Sequence, residues 1–408
     1  MAQLAIVADD LTGAADTSAC FAGAGYATVI PLAGTAPAAD VIALTTESRD
    51  MDAGSAARVT AAAVAGLCAA PDGAPRWIYK KIDSVMRGHP RDELLAAMEA
   101  TGATRALVAP ALPAEGRTTI DGRQHAGGVP LESSPFGGAG VTSDLRVVFV
   151  NDRGLPVHHL DLDTIRQRPS SLLAQLDAPA PGIVIADAET DDDLAILASA
   201  VRESRLRVVS GAAGFARQLA PILSLPHSRP RPVTVRPGGG PVLVVAGTRH
   251  VATRRQLDTL AGTRAPIVSL TQAMIDDPSA SLAPVTRVVA KHLERGESIA
   301  VTTAGLAPST RQERSVACRL AEVVASLPTL DRLGGLVLTG GDVAAAVCEA
   351  LGATATWLGG EIYAGQPWGI LDGGALTGLP IATKAGSFGG EGALVTCIQH
   401  LRQVSDVT

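Results

Sequence analysis

Asp9 and Asp10 stand side by side directly after the apolar run Leu4-Ala5-Ile6-Val7-Ala8, with Leu11-Thr12-Gly13 beyond them. The run reads as a buried strand, and two carboxylates at its end can orient a hydroxyl or accept its proton. Residues Ala14–Phe21 read as a helix of small residues. Its start would aim backbone N–H groups and a partial positive charge at the same spot, which suits an anion. Carboxylates for hydroxyls beside an anion-binding helix end suggest a small polyhydroxy acid as ligand. Either Asp alone could be only a helix cap. With two, one can cap while the other faces the ligand.

Five further strand ends carry residues that could do chemistry. The strand within Arg76–Ile82 delivers Lys81, Asp83, Ser84 and Arg87, with Gly88 turning the chain, and Pro90-Arg91-Asp92-Glu93 opens a helix to about Ala100. The strand Ala106–Ala109 runs through Pro110–Gly116 to Arg117, Thr118 and Thr119. A guanidinium fork there matches a carboxylate. In the second half, Val242–Ala246 leads to Gly247-Thr248-Arg249-His250, and Gly335–Leu338 leads to Thr339-Gly340-Gly341-Asp342-Val343. Ile381–Lys384 leads to Ala385-Gly386-Ser387-Phe388-Gly389-Gly390. Glycines at such ends let N–H groups approach a phosphate, so a nucleotide is the natural guest. Neither G-x-x-x-x-G-K-[ST] nor G-x-G-x-x-G after the first strand is present, and Gly238-Gly239-Gly240 between prolines reads as linker.

The elements that must position these residues alternate between strand and helix, which implies largely parallel sheets flanked by helices. Strands are expected at Ala27–Leu32, Val41–Thr45, Val147–Val150, Ile183–Ala186 and Val208–Ser210, with helices at Ala53–Ala70, Asp163–Leu176, Asp191–Ser204 and Ala212–Leu219. Residues 121–145 show little periodicity and read as one long loop. The second half adds strands at Ile267–Leu270 and Ser298–Thr302 and helices at Ala252–Ala261, Pro284–Glu294, Thr310–Ala325, Asp342–Leu351 and Glu391–Leu401. A chain of 408 residues exceeds one comfortable core. We therefore expect an N-terminal domain over 1–228, a linker over 229–240 where Pro and Gly cluster, and a C-terminal domain over 241–408.

The formal charge of −6 without a basic tract argues against nucleic acid or an acidic membrane as partner. Five scattered cysteines with no C-x-x-C pair argue against a disulfide framework and fit a reducing cytoplasm. No signal peptide or apolar span of about 20 residues is present. His158-His159 lacks metal-ligand spacing and is expected at the surface, which leaves His89 and His250 beside candidate site loops and any metal ligands unassigned.

Six blocks in register resemble the four-carbon acid sugar kinases: Ala8–Ala14, Lys81–Ser84 with Arg87-Gly88, Pro110–Thr119, Thr339–Asp342, Gly360–Ile362 and Lys384–Gly389. The resemblance runs from the first strand to the last helix. It implies two domains with a cleft between them, and an ATP-dependent kinase acting on the terminal hydroxyl of threonate, erythronate or a 3-oxo-tetronate. Asp9, Asp10, Lys81, Asp83, Arg87 and Arg117 would then line the acid site, and Thr248, Gly340–Val343 and Gly386–Gly389 would hold ATP with its Mg²⁺. Asp10 or Asp9 would orient the hydroxyl or accept its proton, while Arg87, Arg117 and Lys81 grip the carboxylate or the transferred charge. The partners implied are the sugar acid and ATP, with a homodimer allowed. Val85-Met86, Thr248-Arg249-His250, Val343 and Ala385-Gly386-Ser387 depart from the family pattern, each moving a hydroxyl or a glycine. A dinucleotide-dependent hydroxy-acid oxidoreductase and a non-catalytic sugar-acid sensor are the competing expectations.

Overall fold

In the computed structural model, which describes residues 2–70, 73–138, 140–167, 169–225, 233–236, 239–306 and 313–404, the chain divides into two units. The first comprises Met1–Thr28 and Ala38–Arg229, the second Val29–Pro37 and Pro230–Thr408. Half of the linker expected over 229–240 falls outside the described residues.

The first unit contains β1 (Leu4–Ala8), α1 (Leu11–Gly23), then, after the segment carrying β2 (Thr28–Pro31), β3 (Val41–Thr45), α2 (Ala53–Cys68), β4 (Trp77–Lys81), α3 (Pro90–Thr101) and β5 (Arg105–Ala109). It continues through β6 (Arg117–Ile120), β7 (Arg123–Ala126), β8 (Val129–Pro130), α4 (Leu145–Val148), β9 (Val157–Leu160), α5 (Leu162–Gln167), α6 (Pro169–Leu176), β10 (Gly182–Ala186), α7 (Asp191–Glu203), β11 (Val208–Gly211) and α8 (Ala213–Leu219). Its main sheet is parallel in the order β3-β1-β4-β11-β5-β10-β9. Strands such as Leu4–Ala8 are apolar and buried throughout, as a sheet covered on both faces requires. Because β3 and β4 lie on opposite sides of β1, the winding reverses at β1. The carboxyl ends of the strands there form the crevice where such sheets bind ligands.

Three expectations fail in this unit. Val147–Val150 is not a strand: Leu145 and Phe149, four apart, are fully buried while Val147 and Val150 are exposed, and Asp144 caps the short α4 through the Arg146 N–H. Residues 121–145 are not one loop, since β6, β7 and β8 form a small antiparallel sheet. The buried Asp187 carboxylate fixes its first turn by accepting the N–H groups of Asp121 and Gly122 at 2.9 Å each. His158-His159 lies in β9, half-buried, with His159 Nε2 3.0 Å from Asp187 Oδ1, and that contact raises the imidazole above its usual pKa.

The second unit contains β12 (Val242–Ala246), α9 (Val251–Gly262), β13 (Ile267–Ser269), α10 (Gln272–Asp276), α11 (Ala283–Glu294), β14 (Ile299–Thr302) and α12 (Glu313–Ala325). Then follow β15 (Gly335–Thr339), α13 (Gly341–Ala350), β16 (Ala355–Glu361), β17 (Pro367–Asp372), β18 (Pro380–Lys384) and α14 (Ala393–Gln403). Strands β13-β14-β12-β15-β18 run parallel, and β17 and β16 continue antiparallel. The winding reverses between β12 and β15, which places Gly247 and Gly340 at the second crevice. Among the described residues no helix is long and apolar enough to cross a membrane.

Strand β2 completes this second sheet although it comes from the start of the chain, pairing Val29, Ile30 and Pro31 with Trp357, Thr356 and Ala355. Val29 and Ile30 are 0% and 1% exposed. A fragment of residues 233–408 should therefore melt about 10 °C lower alone than with a peptide of residues 26–37 added, given about 1.5–3 kcal/mol per buried side chain. Equal melting in thermal denaturation would count against this role for β2.

Candidate functional sites

At the first crevice, Asp10 caps α1 by accepting the Gly13 N–H at 2.8 Å. Both carboxylates are gripped by a residue that strand-end reasoning passed over. Arg49, beyond the end of β3, donates to Asp9 from Nε and Nη2 at 2.7 and 2.9 Å, and to Asp10 from Nη1 and Nη2 at 2.7 and 2.9 Å. Burial by itself would raise the Asp9 carboxyl, but the charge and hydrogen bonds of Arg49, helped by Lys80 and Lys81, hold it below the usual range. The same carboxylates raise the Arg49 guanidinium against its burial, so it stays charged.

The loop after β4 closes around this cluster. Asp83 accepts the Val85 N–H at 2.8 Å and Arg87 Nη2 at 2.6 Å, and Arg49 stands 3.9 Å away. Burial pushes its carboxyl up, yet Arg87, Arg49 and Lys81 bring it down to about 2. The Arg87 side chain remains 61% exposed, so its outer face is open. Gly88, at φ +79°, sits where a Cβ would meet Asp9 Oδ2 at 2.9 Å, which requires glycine on both counts. The Lys81 ammonium is close to the α1 start, since a Cβ on Gly13 would lie 3.1 Å from its Nζ. Lys81 is 6% exposed, and its ammonium makes no hydrogen bond to a described residue. An almost buried cation facing three carboxylates with its own hydrogens unspent is suited to an anionic group of a ligand.

A buried ion pair lies beneath. Lys80, fully buried, donates to Glu93 Oε2 at 2.8 Å and to the Lys81 carbonyl at 2.7 Å. Glu93 in turn accepts the Ser48 hydroxyl at 2.5 Å, and the Ser48 N–H donates to the Asp9 carbonyl at 3.0 Å. The pair thus ties together the backbone that carries Asp9, Arg49 and Lys81.

Ser84 joins this region through its carbonyl, which accepts Gln124 Nε2 of β7 at 2.8 Å. Arg117 and Thr118 are engaged elsewhere: Arg117 bonds the Glu115 carbonyl and lies 5.2 Å from the Phe136 ring, and Thr118 pairs with His125. Neither has a hydrogen bond to the Asp9, Asp10 and Arg49 cluster among the described residues.

At the second crevice, three glycine turns converge. A Cβ on Gly247 would strike Val343 Cγ2 at 2.5 Å, and one on Gly386 would strike Thr248 Oγ1 at 2.4 Å. Gly340 caps α13 at φ +104°, a backbone only glycine takes easily, and its N–H donates to the Lys384 carbonyl at 2.9 Å. Gly341 and Asp342 form the first turn of α13. His250 caps α9, its Nδ1 accepting the Ala252 N–H at 3.2 Å, and burial together with the charge of Lys384 lowers its pKa. Ser387 and Gly389 lie in the third turn, which α9 fastens through Thr253 Oγ1 to the Gly386 carbonyl and Gln256 Nε2 to the Phe388 and Gly389 carbonyls. Two helix N-termini and a glycine loop in one place are suited to polyanionic phosphate.

A family model described as a sugar-binding N-terminal domain matches residues 4–219, and one described as a nucleotide-binding C-terminal domain matches residues 243–394. The chain is 32% identical to the D-threonate kinase of Salmonella typhimurium over 98% of this chain and 99% of that one. It is 35% identical to the D-threonate kinase of Bordetella bronchiseptica over 98% of each. It is 30% identical to the 3-oxo-tetronate kinase of Methylobacterium radiotolerans over 95% of this chain and 96% of that one. A solved Salmonella typhimurium structure, described as a putative tRNA synthase, shares the fold with a TM-score of 0.79 at 21% identity, covering 99% of this chain and all of that one.

Proposed function

The chain belongs to the family of four-carbon acid sugar kinases, and from that premise we propose that it transfers the γ-phosphoryl group of ATP to the terminal hydroxyl of D-threonate. It is a phosphotransferase acting on a sugar acid. The choice of D-threonate is supported by relatives of that name at 32% and 35% identity, against 30% for the 3-oxo-tetronate kinase.

The observation that carries the reading is the juxtaposition of Lys81, with unspent hydrogens, and the Arg49-bridged carboxylates Asp9 and Asp10. Lys81 and the open face of Arg87 take the substrate carboxylate, while Asp9 and Asp10 orient its hydroxyls. As the new O–P bond forms and the bond to the ADP oxygen breaks, the hydroxyl proton passes to Asp10. A weak base suffices, because a loose phosphoryl-transfer transition state asks for position more than for a strong base. Gly247, Thr248, Gly340 and the turn over 386–389 hold the nucleotide.

Mg²⁺ belongs to the proposal. It keeps several waters and is otherwise bound by substrate phosphates and one or two carboxylates, and Asp342 in the first turn of α13 is a carboxylate placed at those loops. Bound there, the ion would neutralise phosphate charge.

ADP release with Mg-ATP should be strong on D-threonate and weaker on L-threonate, erythronates and 3-oxo-tetronates. A different preferred acid replaces D-threonate, and silence on all of them ends the proposal. Asp10→Asn preserves the helix cap and should lower kcat about 100-fold. Near-normal turnover in both Asp9→Asn and Asp10→Asn would remove the proton acceptor from the mechanism.

A further inference from the structure

Lys384 ends β18 with its side chain fully buried. Its ammonium has no ion pair with a carboxylate among the described residues. It donates instead to backbone carbonyls of the following turn, Ala385 at 2.8 Å, Phe388 at 3.1 Å and Gly386 at 3.4 Å, with Thr253 Oγ1 at 3.3 Å. Thr253 and Gln256 draw the Gly386, Phe388 and Gly389 carbonyls to the same side.

In a trans peptide the C=O of one residue and the N–H of the next point in opposite directions. The peptide bonds here are all trans. Carbonyls of 385, 386 and 388 gathered inward therefore turn the N–H groups of Gly386, Ser387 and Gly389 outward. None of those N–H groups donates to a described residue.

We propose that Lys384 is a positioning residue for the nucleotide, its buried ammonium gathering these carbonyls so that the opposite face of the turn becomes a cradle of N–H donors for a nucleotide phosphate. The inference rests on the reading of the second unit as the nucleotide site and says which buried group builds it. A buried cation with only uncharged partners is unfavourable by itself, and a bound phosphate supplies the missing countercharge.

Burial brings the Lys384 ammonium down to about 8, within reach of an ordinary pH titration. The groups on the elements packed against it titrate elsewhere or carry no charge. The Cys397 thiol of α14 is pushed up to about 12 by burial, His250 at the start of α9 is lowered from its ordinary value, and Thr253 and Gln256 are neutral. Asp342 of α13 is the carboxylate in the first turn of that helix.

The signs of the two pH effects differ. Nucleotide affinity is full while Lys384 is protonated and falls as pH rises through about 8. The contribution to folding stability rises between that value and the unfolded lysine's, because the unfolded chain then binds more protons. A residue that served only the fold would move stability without moving affinity.

The test is calorimetric binding of ATP to the full chain from pH 7 to pH 9.5, with Lys384→Met and Gln256→Leu beside wild type. We expect wild-type affinity to fall about tenfold across the range with proton uptake on binding near pH 8. Lys384→Met should bind ATP about tenfold more weakly at pH 7 with a flat profile, and both variants should keep wild-type affinity for the sugar acid. Wild-type binding that is flat with pH and takes up no proton overturns the inference whether or not a variant folds. So does a folded Lys384→Met that binds as wild type does. Wild type that binds no ATP at any pH overturns the nucleotide reading as well.

Discussion

Arg49→Ala is expected to lower kcat/KM for the sugar acid from roughly 30-fold to several thousandfold, the range for truncating one member of a buried, hydrogen-bonded charge pair at about 2–5 kcal/mol. The guanidinium makes four hydrogen bonds to Asp9 and Asp10 and sets the distance between their carboxylates. Without it, two adjacent carboxylates repel and swing apart, and the hydroxyls they orient lose their frame. Lysine cannot substitute, because a single ammonium lacks the fork that spans both acids.

The pH response should change as well. In the wild type Asp9 is held low, so its contribution to stability is present above the unfolded carboxyl pKa and is lost as pH falls through the folded one. In Arg49→Ala the burial of Asp9 faces less opposing charge, so the variant should lose less stability than wild type as pH is lowered from 5 to 3. Thermal melting at both pH values and steady-state kinetics check the two parts. A variant within about threefold of wild-type kcat/KM would show that Arg49 is spectator to the reaction.

The second large effect is expected at the buried Lys80 and Glu93. Glu93→Ala leaves a fully buried ammonium without its partner, which costs about 3–5 kcal/mol, or roughly 6–20 °C in melting temperature for a unit of this size. The Ser48 hydroxyl loses its acceptor at the same time. A double replacement, Lys80→Met with Glu93→Leu, should recover more than half of that loss, since the desolvation of both charges disappears with them. Recovery of stability without recovery of activity would separate the pair's role in folding from its role in holding Lys81 and Ser48 in place. A single variant that melts like wild type would show that the ion pair contributes nothing net.

Much of this was legible in the residues. The strand ends at Ala8, Lys81, Ala246, Thr339 and Lys384 could be read because each is an apolar run cut off by polar or glycine residues, the pattern a doubly covered parallel strand leaves. Arg49 was missed for a physical reason. Strand β3 was recognised, but its end carries Thr45-Thr46-Glu47-Ser48 before the arginine, and nothing local says that the chain folds back to bring residue 49 over Asp9. The same holds for Glu93, which reads as an ordinary acidic residue in the first turn of α3 and becomes the partner of Lys80 only through tertiary packing.

Periodicity failed where elements were short. Four residues of α4 offer one turn, too little for a helical pattern to outweigh three valines in Leu145–Val150. The two-residue strand β8 and its neighbours are held by turns and by Asp187 from another strand, so residues 121–145 carry no signal of their own. The pair β16 and β17 was overlooked because Gly359, Gly360 and Gly369 interrupt it, and the register shifts between Leu358 and Gly360.

The place of β2 has a consequence for how the chain is made. It begins at Thr28, whereas its partner β16 begins at Ala355, so a ribosome delivers the strand long before the edge that receives it. At about 5–20 residues per second, one side of β2 waits roughly 15–60 s for its partner. During that interval the nascent chain carries an open strand edge beside a first unit that can already be folding. The second unit cannot finish as an independent translation product. Its last step reaches back to residues made long before it, which ties completion of the second unit to a segment made together with the first.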